Sequence, residues 1–148
     1  MKIAVELDVL GDTQPLWRDW LEDAARILDV SGLPEDRAGA AAELDARGSG
    51  NWRTLLERFA ADRAPVYLRP AAEVSAALRR LQAAGARIGV FTDAPEQLAH
   101  VALAQLGAAR RIDALESGER AQERLLETLG AGTLVVRTRA ELVALDSR

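Results

Sequence analysis

The sequence contains no cysteine and a single lysine, Lys2. The first absence excludes disulfides, thiolate metal sites and cysteine nucleophiles. The second means that chemistry needing a lysine must use Lys2 or do without, because the other eighteen basic residues are all arginine. His100 is the only histidine. It falls opposite Leu98 and Ala102 on a helical pattern, beside Glu96 and Gln97, so it is expected to face solvent. No Ser-His-Asp spacing supports a triad. No apolar run approaches the roughly 18 residues needed to cross a bilayer, and no leader pattern opens the chain, so a soluble, cytoplasmic protein with no membrane partner is expected. Net charge is −4, and no basic block stands out, which argues against a nucleic-acid partner.

What is present suits one globular domain, with room for a small insertion: 148 residues, 49% of them apolar. The chain opens with Lys2-Ile-Ala-Val-Glu-Leu-Asp8, a buried-type strand running into two acids on alternate residues. Alternation predicts that the Glu6 and Asp8 carboxylates point to one side of the strand's C-terminal end. Open α/β sheets place their ligands at that end.

Three helical patterns follow without an intervening strand. Trp17, Trp20, Leu21, Ala24 and Leu28 share one face of the first, which Asp12 or Thr13 is placed to cap and which Gly32 and Pro34 end. A weaker one covers Glu35 to Arg47. Asn51 is placed to cap a third, with Trp52, Leu55, Leu56 and Phe59 on its apolar side. From Pro70, which suits a first helical turn, the pattern alternates. A helix carries Val74, Ala77, Leu78 and Leu81 up to Gly85, and a buried strand spans Arg87 to Phe91. Pro95 opens a helix that Gly107 closes. A weak strand is expected from Arg111 to Leu115, a helix from Glu119 to Leu129, a strand from Thr133 to Val136 and a short helix from Ala140 to Leu145. This order predicts an α/β, Rossmann-like parallel sheet. The core would comprise residues 1–13 and 67–148, and a helical insertion residues 14–66.

The layout resembles the haloacid dehalogenase (HAD) superfamily, phosphoglycolate-phosphatase-like members with a small helical cap after the first strand. Besides the opening strand, the resemblance rests on Asp12-Thr13-Gln-Pro-Leu-Trp17, Leu68-Arg-Pro70, Leu78-Arg-Arg-Leu-Gln-Ala-Ala-Gly85 and Gly89-Val-Phe-Thr-Asp93. It implies a nucleophilic aspartate, an acid/base aspartate two residues on, a phosphate-binding hydroxyl after the second strand, a lysine near the third, and acids after the fourth that hold Mg²⁺.

Several diagnostic residues differ. Glu6 stands at the nucleophile position, and its extra methylene shifts the carboxylate by about an ångström, enough to cost on the order of 10²-fold in a positioned reaction. Asp8 matches the acid/base position. Thr92 matches the phosphate-binding hydroxyl, with Asp93 beside it before a helix N-terminus. Arg120 or Arg124 stands where a lysine is expected, and arginine is not its equivalent. Arg137 and Thr138 occupy the place of the metal acids, so no metal site is expected there. Arg137 would take the metal's place and pair with Glu6 or Asp8. Each residue also has a plainer role: Glu6 as a paired acid at a strand end, Asp8 as a loop cap, Thr92 as a helix cap, the arginines as a solvated face. The tryptophans belong to a core or to a cleft between cap and sheet.

Two functions follow as expectations. One is a catalytically impaired or inactive phosphatase homologue that binds a small phosphorylated ligand or a protein, without a cofactor. The other is an active hydrolase that removes phosphate from a small ester with Mg²⁺. The chain ends soon after its fourth strand, so one sheet edge is expected to be short or paired with another chain, which makes a homodimer or a protein partner plausible.

Overall fold

The computed structural model of the chain describes residues 1–146. Four parallel strands, β1 (Lys2–Glu6), β2 (Arg87–Thr92), β3 (Ala114–Ser117) and β4 (Leu134–Val136), form one sheet in the order β3-β2-β1-β4. Between β1 and β2 lie α1 (Leu7–Leu10), α2 (Gln14–Ile27), α3 (Arg37–Ala46), α4 (Trp52–Tyr67) and α5 (Ala72–Ala83). Then α6 (Glu96–Gln105) leads to β3, α7 (Ala121–Leu129) to β4, and α8 (Arg139–Asp146) follows β4. The fold class is as the alternating pattern predicts: an α/β, Rossmann-like parallel sheet.

The central strands are apolar on both faces because both faces are covered. Ile3, Val5, Ile88 and Val90 join a core with residues of α5, α6 and α8. Ala4 and Phe91 join a smaller one with Ala121, Leu125 and Leu129 of α7. Gly89 lets α7 approach: a Cβ there would stand 2.6 Å from a methyl of Leu125. The larger core continues into α2 and α4, where the rings of Trp17 and Trp20 pack tilted with centroids 5.1 Å apart, and those of Trp20 and Trp52 tilted at 5.8 Å. All three indoles are buried, so the packing role is the one they take.

Several boundaries differ from the sequence reading, each for a local reason. The first strand stops at Glu6, and Leu7 begins a helical turn. The alternation argument for Glu6 and Asp8 therefore fails at Asp8. The third strand is Ala114–Ser117, because residues 109–111 form a 3₁₀ turn and Asp113 closes onto β2, accepting from Ile88 N at 2.8 Å. Helix α7 begins at Ala121, since Gly118 and Arg120 both adopt left-handed backbone. Pro70 lies ahead of α5 and not inside its first turn. Asn51 does not cap α4 through its side chain; its Oδ1 accepts from the Thr54 hydroxyl. Among the described residues, no helix is long and apolar enough to cross a membrane.

Candidate functional site

In the strand order β3-β2-β1-β4 the chain winds outward from β1 through β2 to β3, then crosses to the far side of β1. The crevice in such a sheet opens beyond the carboxyl ends, where the winding reverses. Here that is between β1 and β4. Val5 pairs with both Val90 and Val136, so the three strands end level and present Glu6, Phe91–Thr92 and Arg137 side by side. An open cleft of about 470 Å³ lies over these ends, and its lining includes Glu6, Gln14, Thr92, Asp93, Arg120 and Arg137. Five of the residues singled out in the sequence thus meet in one place. Asp8, Arg124 and Thr138 are not part of that lining.

Arg137 Nη1 lies 3.4 Å from Glu6 Oε2, directly across the switch point. Its guanidinium also stands 5.6 Å from the Phe91 ring centroid and donates to Gln122 Oε1. The Arg137–Glu6 pairing expected from the sequence is therefore present, though both side chains are substantially exposed, at 54% and 38%.

Asp8 has a different set of partners. Its Oδ1 accepts from Thr13 N at 3.1 Å and from Thr13 Oγ1 at 2.6 Å, and its Oδ2 from Gln14 Nε2 at 3.3 Å. The fourth donor is Arg37 Nη2 at 3.5 Å. Arg37, the first residue of α3, is the residue the sequence reading missed. It is only 3% exposed. Its Nε donates to Asp93 Oδ1 at 2.8 Å, its backbone N to Asp93 Oδ2 at 3.1 Å, its Nη1 to Thr13 Oγ1 at 2.6 Å and its Nη2 to Thr92 Oγ1 at 3.4 Å. Thr92 Oγ1 accepts also from Ala94 N at 3.2 Å, closing the turn after β2. One buried guanidinium thus spans Asp8 and the Thr92–Asp93 turn, using the planar fork that lysine lacks. Nothing in the local sequence marks it. Arg37 opens a polar, alanine-rich segment, and only the fold brings residues 8, 13, 92 and 93 around it.

The remaining candidates have local roles. Thr138 accepts from Glu141 N at 3.1 Å and donates to Glu141 Oε1 at 3.0 Å, which caps α8. Arg120 lies at the start of α7 and pairs with Glu123 at 2.5 Å; that hydrogen bond pushes the guanidinium pKa up. Arg124 pairs with Glu116 at 3.2 Å and donates to Ser117 O at 2.5 Å, tying α7 to the end of β3. His100 is exposed on α6, as expected.

Mg²⁺ requires near-octahedral oxygen coordination, usually with one or two carboxylates. Among the described residues no group of three or more His, Asp or Glu is placed to hold a metal. The Asp8 oxygens already accept four hydrogen bonds, and a cationic side chain follows β4. This donor set does not fit the ion.

No family model matches the chain, and no curated protein matches it in sequence. Solved structures do. A protein from Thermotoga maritima assigned as a beta-phosphoglucomutase superposes with a TM-score of 0.56 at 18% identity, over 99% of this chain and 81% of its own. The chain shares the α/β, Rossmann-like fold of that structure. A dehalogenase solved with an intermediate complex superposes with a TM-score of 0.50 at 13% identity, over 97% of this chain and 80% of its own. Identities this low establish the scaffold and leave activity to be argued from the site.

Proposed function

We propose that the chain is a catalytically impaired HAD-like domain, with a helical cap at residues 14–66, whose former phosphate pocket holds internal arginines in place of a metal ion and a phosphoryl group. The observation that carries this reading is Arg37, buried and hydrogen-bonded to Asp8, Asp93, Thr13 and Thr92 together. Asp8 is thereby committed to holding the loop and α3, while Glu6 faces Arg137 across the exposed mouth of the sheet. On this reading the open cleft serves binding. Its charged rim, with Arg120 and Arg137 against Glu6 and Glu123, suits a small phosphorylated ligand or a polar protein surface. A homodimer through a sheet edge is compatible with it, since Leu134 on the edge strand β4 is exposed.

The competing reading, an active hydrolase on a small phosphate ester, draws on Glu6, Thr92 and Asp93 sharing the cleft at the sheet's mouth. Two of the fold neighbours are named for a beta-phosphoglucomutase and a dehalogenase, which makes that chemistry the natural alternative. Assay of the purified chain with Mg²⁺ against a panel of phosphate monoesters separates them. The expected result is no turnover above background and no Mg²⁺ uptake by calorimetry. Turnover that Asp8→Asn abolishes would overturn the proposal.

A further inference from the structure

The geometry points to Arg37 as a latch that holds the N-terminal end of α3 shut against the sheet's mouth and keeps Asp8 and Thr92 occupied. This rests on the reading above, in that it treats the pocket as filled from within, and it adds how the filling could be relieved. Helix α3 is tethered unequally. Its C-terminal end is tied to α4, where Asp45 accepts from Trp52 Nε1 at 2.9 Å and from Arg53 Nη2 at 3.0 Å. Its N-terminal end is tied to the turn after β2 through Arg37, whose side chain and backbone N–H both reach Asp93. Between these ends only Ala40 and Leu44 are buried on α3, a small apolar footprint for a ten-residue helix. The segment ahead of it carries left-handed backbone at Asp29 and Gly32.

An element with few buried apolar contacts, held at its N-terminal end by a polar anchor, opens there at a lower free energy than the core around it. If the anchor lets go, the N-terminal end of α3 swings about its Asp45–Trp52 attachment. Thr92 and Asp93, which already line the open cleft, then lose their cation, and Asp8 loses one of its four donors. The seat left behind is shaped for a guanidinium: two carboxylates and two hydroxyls around one planar group.

Native-state amide hydrogen exchange tests this without reference to activity, so its outcome is independent of the phosphatase assay. In the wild type at low urea, amides of residues 40–46 are expected to exchange through an opening with weaker urea dependence than those of β1 and β2. In Arg37→Ala the same α3 amides are expected to exchange faster by about tenfold or more, the factor for losing one charge-assisted hydrogen bond, while β1 and β2 stay protected. Millimolar guanidinium, compared with equal sodium, is expected to restore part of that protection. Exchange of wild-type α3 in one cooperative step with β1 and β2 would overturn the latch, as would unchanged α3 exchange in Arg37→Ala. Should Arg37→Ala not fold, the wild-type urea series decides alone.

Discussion

Arg37 Nε lies 2.8 Å from Asp93 Oδ1, and the two residues are 56 positions apart in the chain. The arginine is 3% exposed and the aspartate 44%, so the pair sits at the boundary between core and solvent. Burying a guanidinium costs several kcal/mol unless its protons are used. Here Nε, Nη1, Nη2 and the backbone N–H all find oxygens, which is why the residue can stay buried.

The first prediction concerns Asp8, which accepts four hydrogen bonds in a partly buried setting. Asp8→Ala leaves Arg37 and Thr13 short of an acceptor and is expected to cost about 2–4 kcal/mol. Asp8→Asn keeps an acceptor oxygen and should cost less. Urea unfolding with unchanged m-values reads the difference. Equal stability of Asp8→Ala and wild type would show the network to be incidental.

Glu6 and Arg137 make the opposite case. Their ion pair spans 3.4 Å between exposed side chains. A double-mutant cycle with Glu6→Gln and Arg137→Gln should give a coupling below about 1 kcal/mol, which falls further in high salt. Neither substitution is expected to shift the unfolding midpoint much. A coupling of several kcal/mol, insensitive to salt, would mean that the crevice is closed to solvent.

Asp45 gives a pH signature. The hydrogen bond from Trp52 Nε1, with Arg53 beside it, lowers the carboxyl pKa below its ordinary 3.8. A depressed folded pKa adds stability that is present above the unfolded value and is lost as pH falls through the folded one. Wild type should therefore exceed Asp45→Ala in stability near neutral pH by a small, constant margin. That margin should shrink as pH drops through and below 3.8. Tryptophan fluorescence during acid unfolding checks it, because Trp52 is one of the partners. A margin that persists at pH 2 would point to packing and not charge.

Thr138 separates a cap from a displaced metal ligand. Thr138→Ala should destabilise by about 1 kcal/mol, and Thr138→Ser or Thr138→Asp should retain most of the cap. Because the Thr138 hydroxyl is engaged by Glu141 within the first turn of α8, Thr138→Asp is not expected to create Mg²⁺ affinity. Calorimetry on that variant settles the point.

Much of this architecture could be read directly from residue order. Period-2 and continuous apolar runs marked β1 and β2, and Trp17, Trp20 and Ala24 marked the buried face of α2. The reading failed where short-range geometry overrode pattern. Leu7 turned helical immediately after β1, which separated the environments of Glu6 and Asp8. The left-handed Gly118 and Arg120 delayed α7.

The sequence by itself determined the alternation of strands and helices, the layering of apolar faces and the presence of cationic residues after β4, because periodicity and breakers act between near neighbours. Only the tertiary structure decided what fills the mouth of the sheet. Arg37 meets Asp8, Thr13, Thr92 and Asp93 through chain separations of 24 to 56 residues. No local pattern encodes such a meeting, because a buried guanidinium is stabilised by oxygens that chain folding alone brings within reach.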